Sequence, residues 1–535
     1  MRRAVAFLLL LTSAAIVTAS SHRLVSVTQD AAGAWRVLFD DSREGAIAVA
    51  TYAPTINQTG WNVLNVTTSS LFSDEQQAYA AGFAEGAASY QDIVSAIANA
   101  AMLPFPALIT YMRQNFEYMM AMVAQNPGDE YWHQVNLTML QFHGILDGAN
   151  SQAPDEASQI ALFNLWVQAA MGDLIDLVPA LNITYRSDWK GMNPAEFNSW
   201  LATRTHCSAL VKLALDLSDV YFGHATWSSY NFMLRVYKHY RLNFKNAPVK
   251  QVSFSSYPGT PVSIDDFYVT DGGLAITETT LNVFNYSIYD GNVLPQSLLY
   301  WVRVSVANRM STTARGWVEL FGDYNSGTYN NQWIVLDMKR FVPSKPIPSG
   351  TLWISEQMPG MYVTRDVTGI LEYGYWPSYN VPTNRTVFAY AGYPEAIATQ
   401  GPQMLDYELC VRAQIFRRDQ ANVSDMPAMQ YMMQYNNYLN DPISQGNPVY
   451  AIASRGDLAP ASQGGPQCFG AIDAKLTSWT MYQTGREVLA FSGPTPQEGV
   501  FAFSNMPPLT PVCGHQGAPG SFDFLWNLMS PFRDF

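Results

Sequence analysis

The texture of the chain changes at Cys207. Residues 72–182 carry apolar side chains mostly at helical spacing, whereas the stretch from Cys207 onward breaks into short alternating runs of β-branched and aromatic residues. Neither a repeat nor a low-complexity linker separates the two textures. Helices that expose one apolar stripe and strands that expose one apolar face must therefore bury them against each other, which predicts an α+β or layered sandwich fold. Before the break, strands are expected at Trp35 to Phe39 and Ile47 to Tyr52. Helices are expected from the Ser73 cap through Ala78 to Met102, and over Ala107–Ala124, Tyr131–Leu146 and Glu156–Leu181. The Met and aromatic stripe of YMRQNFEYMMAMV suits either a lipid-facing surface or a core helix, and the core reading is preferred. After the break, CSALVKLAL, QVSFSSY, DDFYVT, LAITETTL, QWIVLDM and TLWISEQ read as strands, with helical pieces at Ser228–Tyr240 and Leu298–Met310. Thr184–Arg204 has the least pattern and reads as an exposed connector.

The chain is 535 residues long, enough for two to four ordinary domains or one large elaborated one. With 48% apolar residues, disorder is excluded, and a net charge of −13 offers no footprint for nucleic acid. Only 14% of residues are charged, against about 25% in an ordinary soluble protein, which suits an exported, glycan-solubilised chain. The first residues agree. Arg2 and Arg3 precede an apolar run from Ala4 to Val17, and Val17-Thr18-Ala19 is a small-residue cleavage signal, so residues 1–19 read as a signal peptide. The run is too short to span a bilayer, and no transmembrane anchor is expected. Seven N-x-S/T sequons follow, at Asn57, Asn65, Asn136, Asn182, Asn285, Asn384 and Asn422. Of the four cysteines, Cys468 and Cys513 lie in Gly/Pro-rich loops and are the preferred disulfide in an oxidising lumen, which leaves Cys207 and Cys410 as thiols.

Several chemistries are absent as motifs. There is no G-x-S-x-G elbow, no P-loop and no G-x-G-x-x-G. The histidines at 22, 133, 143, 206, 224, 239 and 515 show no metal-ligand spacing, so neither a metal nor a cofactor is expected. Arg455-Gly456-Asp457 reads as a polar turn rather than an adhesion tripeptide. The informative stretch is His206-Cys207-Ser208-Ala209-Leu210-Val211-Lys212-Leu213, in which a small nucleophile separates a polar connector from an alternating strand.

With HCSALVKL, the chain carries FGHATW (222–227), MLRVYKHY (233–240), FSSYPGT (254–260), DDFYV (265–269), ITETT (276–280), VANRM (306–310) and NSGTYNNQW (325–333). EQMPGM (356–361), YWPSYN (375–380), RAQIFRRDQ (412–420) and GAIDAKLTS (470–478) follow. In these segments and their order the sequence resembles the phospholipase B-like, or lamina-ancestor, proteins over essentially all of 207–535. The resemblance implies a four-layer αββα sandwich of the N-terminal nucleophile hydrolase class, with a helical N-terminal elaboration. It further implies a precursor that cuts itself between His206 and Cys207 into fragments 20–206 and 207–535, which stay associated as one intertwined domain. A connector at about 184–206 joins them until the cut. Cys207 would then be the nucleophile and its own α-amine, unperturbed near ~7.7–8.0, the base. Carried over position by position, His224, Trp227, Thr280, Asn380 and Arg412 would complete the site. Asn380 would donate to an oxyanion and Arg412 would hold a charged group; Thr280 is the least secure, because Thr279 is adjacent and one register step exchanges their faces.

The family name implies hydrolysis of fatty-acyl esters of phospholipids, with lysosomal or secreted localisation. Two alternatives stand beside it: an N-acyl amide hydrolase on the same scaffold, and a glycosylated binding protein with a vestigial site. The expected partner is a phospholipid or another acylated small molecule.

Overall fold

The computed structural model describes residues 22–40, 43–100, 104–204, 207–506 and 513–531. The expected signal peptide at 1–19 and His206 of the expected cleavage site lie outside the described residues. Four strands precede Cys207: β1 (Arg23–Gln29), β2 (Trp35–Leu38), β3 (Ala48–Ala53) and β4 (Asn62–Thr68). After it come β5 (Ser208–Leu213), β6 (Val220–Ser229), β7 (Val236–Arg241), β8 (Gln251–Ser256), β9 (Phe267–Thr270), β10 (Leu274–Thr280), β11 (Asn331–Asp337), β12 (Leu352–Met358) and β13 (Met361–Asp366). The series ends with β14 (Tyr375–Ser378), β15 (Phe469–Ser478), β16 (Val488–Ser492) and β17 (Asn527–Met529).

These strands make two large sheets. The first has 11 strands in the order β13-β12-β11-β10-β9-β8-β7-β4-β3-β1-β2. The second has six, β14-β5-β6-β15-β16-β17. Within the first sheet β4 pairs with β7 in parallel, while the other neighbouring pairs are antiparallel. The β4–β7 pairing joins the segments on either side of Cys207 through one backbone ladder. Ala209, Val211, Val220, Phe222 and Trp376 of the smaller sheet share one buried apolar cluster with Phe267, Val269, Ala275, Ile334, Leu336 and Ile354 of the larger. Their i, i+2 spacing is the alternation that the strand-like runs carry in sequence.

Helices cover the other surfaces. α1 (Asp74–Ala100) opens with a reciprocal cap, in which Gln76 N donates to Ser73 Oγ and Ser73 N to Gln76 Oε1. It packs on β1, β3 and β4. α2 (Pro106–Gln125) buries Leu108, Tyr111, Met112, Asn115 and Met119, one helical face, so the Met and aromatic stripe is core. α3 (Glu130–Asn150) lies so close to α1 that a Cβ on Gly86 would stand 2.1 Å from the Ile145 carbonyl oxygen, and one on Gly82 1.9 Å from that of Gln141.

The expected single helix over Glu156–Leu181 is instead two, α4 (Leu162–Ala169) and α5 (Met171–Leu181), with an 83° bend. Among the described residues no single helix is long and apolar enough to cross a membrane. The connector Thr184–Arg204 is also more ordered than its composition implied. It contains α6 (Pro194–Ala202), capped by Asn193 and Glu196, and Trp189, Phe197 and Leu201 are buried. Ser228–Tyr240 is not one helix: β6 runs to Ser229, a single 3-10 turn covers Tyr230–Phe232 and β7 begins at Val236, because the β-branched and aromatic residues there satisfy a sheet better than a helix. α7 (Tyr300–Met310) and α8 (Ala314–Gly322) follow, α8 packing on β11 and β12. α9 (Val411–Asp419) comes next, and α10 (Met426–Met433) packs on β5, β6 and β15 of the smaller sheet.

Candidate active site

Cys207 stands immediately before β5, 1% exposed, with φ at +88°. A side chain with a Cβ is held in that region only at a cost of about 1–3 kcal/mol, so strain is stored at the residue that follows the expected scissile bond. β5 turns into β6 with Ser208 opposite Ala225 and Ala209 opposite His224. β10, from the other sheet, supplies Glu278. The Cys207 sulfur, a ring nitrogen of His224 and a carboxylate oxygen of Glu278 all lie within 4.8 Å of one another, with Sγ to Glu278 Oε1 at 3.8 Å.

Arg412, near the start of α9, reaches the same place from behind. Its Nη1 donates to the Cys207 carbonyl at 2.7 Å and its Nη2 to the Tyr379 carbonyl at 2.8 Å, while the guanidinium lies 4.4 Å from the centroid of the Trp227 ring. That contact is a desolvated cation–π pair, and the Trp227 indole N–H donates to the Ile452 carbonyl. Thr280 shares a face of β10 with Glu278 and its hydroxyl donates to Glu278 Oε2 at 3.4 Å, whereas Thr279 turns to Ser378. Asn380 has φ at +69°, and its Nδ2 donates to the Thr280 carbonyl at 2.7 Å. In this arrangement one N–H of the Asn380 amide holds the end of β10.

A buried ion cluster backs the site. Asp265 accepts from Arg235 at 2.6 Å, from Lys475 at 2.9 Å and from the hydroxyls of Ser255 and Thr226. Lys475 also reaches Asp473 at 2.6 Å, and Arg235 reaches it at 2.9 Å. Burial works to raise the Asp265 carboxyl, but Arg235 and Lys475 overcome it and hold the group well below the usual carboxylate range. The reacting groups go the other way. Burial, then the neighbouring Glu278, pushes the Cys207 thiol well up, and burial with Lys475 pushes the His224 imidazole well down. Burial and Asp266 raise Glu278 well above its ordinary value. In the uncut chain the thiol is therefore protonated and the imidazole neutral near pH 7.

Cys207 lines a cavity of about 600 Å³. Its walls are mostly apolar: Met171, Leu174, Ile175 and Val178 of α5 face Trp227 and Phe232. Thr203 and Arg204, just before the expected cut, also line it. The disulfide Cys468–Cys513 is present, with Cα atoms 5.8 Å apart, and Cys468 forms part of the wall. Cys410 is a buried thiol at the N-terminus of α9, accepting from Ala413 N.

Of the residues chosen from sequence, Cys207, His224, Trp227, Thr280, Asn380 and Arg412 converge on one place, although only Cys207 and Trp227 among them line the cavity. Glu278, Asp265, Arg235 and Lys475 were missed. The signal available was charge inside apolar strands, at Glu278 in ITETT and at Lys475 in GAIDAKLTS. Arg455 pairs with Asp457 at 2.8 Å and is buried, so that tripeptide is a folded turn. Asn57, Asn285 and Asn422 are exposed and Asn136, Asn182 and Asn384 partly so. Asn65 is 3% exposed, inside β4, where it lines a surface pocket with Thr51, Val63 and Asn527.

Comparison with known proteins gives the following. Phospholipase B-like protein G of Dictyostelium discoideum is 36% identical over 92% of this chain and 88% of its own length. Phospholipase B-like 1 of Rattus norvegicus is 37% identical over 90% and 87%, and phospholipase B of Crotalus adamanteus 35% over 90% and 88%. A solved structure of penicillin V acylase from Agrobacterium tumefaciens aligns at 9% identity over 54% of this chain and 83% of that one, with a TM-score of 0.28, too low to carry an argument. The phospholipase B family matches residues 48–529, nearly the whole sequence, and the chain belongs to that family.

Proposed function

We propose that the protein is an acyl hydrolase that cleaves fatty-acyl esters of glycerophospholipids through Cys207, after cutting itself at His206–Cys207. The observation that carries this is the Cys207 thiol, set at a strained backbone position and opening onto a cavity walled by apolar side chains of the size an acyl chain needs. Before the cut the buried thiol is protonated. After it, the new α-amine lies on the same residue and takes the thiol proton as sulfur attacks the ester carbonyl. The lysolipid alcohol leaves with that proton, and water then hydrolyses the thioester. Arg412 fixes the Cys207 carbonyl and with it the direction of attack. His224, neutral and buried, is suited to orienting the thiol rather than to carrying charge. The oxyanion role of Asn380 falls to the second N–H of Nδ2, the first being given to the Thr280 carbonyl.

The same reading treats the two sheets and the helices packed on their outer faces as a four-layer αββα sandwich. It treats 20–206 and 207–535 as fragments held together by the β4–β7 ladder and the shared core, and assigns the protein to the secretory pathway, ending in lysosomes or outside the cell. Its test is N-terminal sequencing of protein matured at mildly acidic pH, together with fatty-acid release from phosphatidylcholine vesicles. The larger fragment is expected to begin Cys-Ser-Ala-Leu, and Cys207→Ala is expected to stay uncut and release nothing. Normal cleavage of Cys207→Ala would sink the self-processing mechanism. Release from N-acyl amides but not from esters would transfer the chemistry to an amidase.

A further inference from the structure

Cys207, His224 and Glu278 together have a second property. Thiolate, imidazole and carboxylate are the ligand types that zinc-like ions take, and a sulfur ligand disfavours magnesium and calcium. In a tetrahedral zinc site with Zn–S near 2.3 Å and Zn–O near 2.1 Å, the S···O edge comes to about 3.6 Å. Here Cys207 Sγ and Glu278 Oε1 are 3.8 Å apart, with a His224 ring nitrogen within 4.8 Å of both. His224 is fully buried, and its Nε2 has no hydrogen-bond partner. The ligands come from the head of β5, from β6 and from β10, so two packed sheets hold them before any ion arrives. Carboxyl groups also outnumber cations around these ligands. Asp265, Asp266, Glu278 and Asp473 are four buried carboxyls in this cluster, while Arg235 and Lys475 supply two positive charges, both already paired with Asp265 and Asp473.

We propose that Cys207, His224 and Glu278 form a zinc-class metal site whose occupancy caps the nucleophile and reversibly blocks the enzyme. The ion enters through the cavity that Cys207 lines. One part rests on the self-processing reading. Once Cys207 is N-terminal, its α-amine and thiolate close a five-membered chelate on the same ion, completing four ligands. The processed form therefore binds more tightly than the uncut chain, which offers three.

The test uses full-length protein stripped of metal by dialysis against a chelator, before and after processing, titrated with cobalt(II) and then zinc. One cobalt per chain is expected, with a thiolate-to-cobalt charge-transfer band that zinc displaces. Zinc is expected to slow fatty-acid release at least tenfold, with recovery on adding EDTA, and magnesium to do neither. Cys207→Ser should abolish the band, and Glu278→Gln should weaken binding at least tenfold. Because either variant disturbs a buried cluster, alkylation of the unaltered protein supplies an independent readout. Zinc should protect Cys207 from iodoacetamide at least tenfold, read by mass spectrometry of its peptide. Binding at least tenfold tighter after processing supports the amine as fourth ligand, and equal affinity removes it. A cobalt spectrum without a thiolate band, or Cys207 alkylated equally fast with and without zinc, overturns the site. N-terminal sequencing that finds no Cys207 terminus overturns the processing reading alone, since the three-ligand site is tested in the uncut chain.

Discussion

Asp173→Asn should make the protein more stable at neutral pH and leave it unchanged in acid. Asp173 lies in α5, whose neighbouring side chains wall the cavity, and it is wholly buried. Its Oδ1 accepts from the Thr328 hydroxyl and from Tyr300 N at 3.1 Å, while Oδ2 has no partner. Burial outweighs these bonds and the nearby Arg303, and raises the carboxyl from 3.8 to about 7. Because the folded value exceeds the unfolded one, the stabilising contribution of this group is intact below pH ~4 and is lost as pH climbs through about 7. At about 1.4 kcal/mol per pH unit the loss comes to roughly 4 kcal/mol. Asparagine keeps the Oδ1 acceptor and never ionises, so the variant escapes that loss. Groups that oppose the trend, such as His239, held down near 3 by burial, titrate identically in both proteins and cancel in the difference. At about 2.1 cal/mol/K of unfolding entropy per residue, a chain this long shifts by roughly 1 °C per kcal/mol. Thermal unfolding of the pair should therefore differ by about 4 °C at pH 8 and by less than about 1 °C at pH 4. A gap that stays constant across this range, or a variant less stable at pH 8, would show that Asp173 is not a neutral carboxyl in the fold.

Three further perturbations test other parts of the structure. Gly86→Ala places a methyl group 2.1 Å from the Ile145 carbonyl oxygen, and backbone cannot yield there; α1 and α3 should be forced apart at a cost of about 3 kcal/mol, read by chemical denaturation. Arg412→Met leaves the Cys207 and Tyr379 carbonyls without this donor at about 1–3 kcal/mol each, so fragment formation on gels should slow along with a drop in Tm. Cys468→Ser opens a loop of sequence separation 45 and should cost about 4 kcal/mol, a deficit that reducing agent produces in the parent and not in the variant.

The layered α+β organisation was legible because periodicity reports burial directly. The strands of QWIVLDM and TLWISEQ, and the helices at α2, α3 and α7, lie where their spacing indicated. What failed was contextual. MLRVYKHY has enough spaced apolar residues to pass for a helix, and only its pairing with β4 and β8 makes it a strand. The Thr184–Arg204 connector looks polar because its three anchors, Trp189, Phe197 and Leu201, are scattered among Ser, Asn, Lys and Arg, and no short window reveals that they share one surface. Metal-ligand spacing was sought along the chain and is absent there, since Cys207, His224 and Glu278 are brought together only by a hairpin and by the stacking of one sheet on another.

Glu278 shows why buried charge alone is a poor guide to a site. A chain that is only 14% charged still places ionic clusters in its interior, and two of them contrast. In one, Glu85 of α1 pairs with Lys238 of β7 at 2.7 Å and accepts from the Tyr240 hydroxyl, while Lys238 also donates to the Thr260 carbonyl. Each partner answers the other one for one, and the pair clasps a helix from before Cys207 to a strand from after it. Burying such a pair contributes little net stability but fixes register, since breaking it leaves a charge unanswered. The other cluster does not balance. Asp265 takes both Arg235 and Lys475, Asp473 shares them, and Glu278 and Asp266, raised well above their ordinary values by burial, have no cation of their own. These two carboxyls accept from hydroxyls instead, Glu278 from Tyr329 and Thr280 and Asp266 from Tyr268. Their retention beside a strained cysteine, at the wall of the cavity, is accounted for when a positive group arrives there after folding. The α-ammonium that the proposed cleavage would release is one such group, and the proposed metal ion is another.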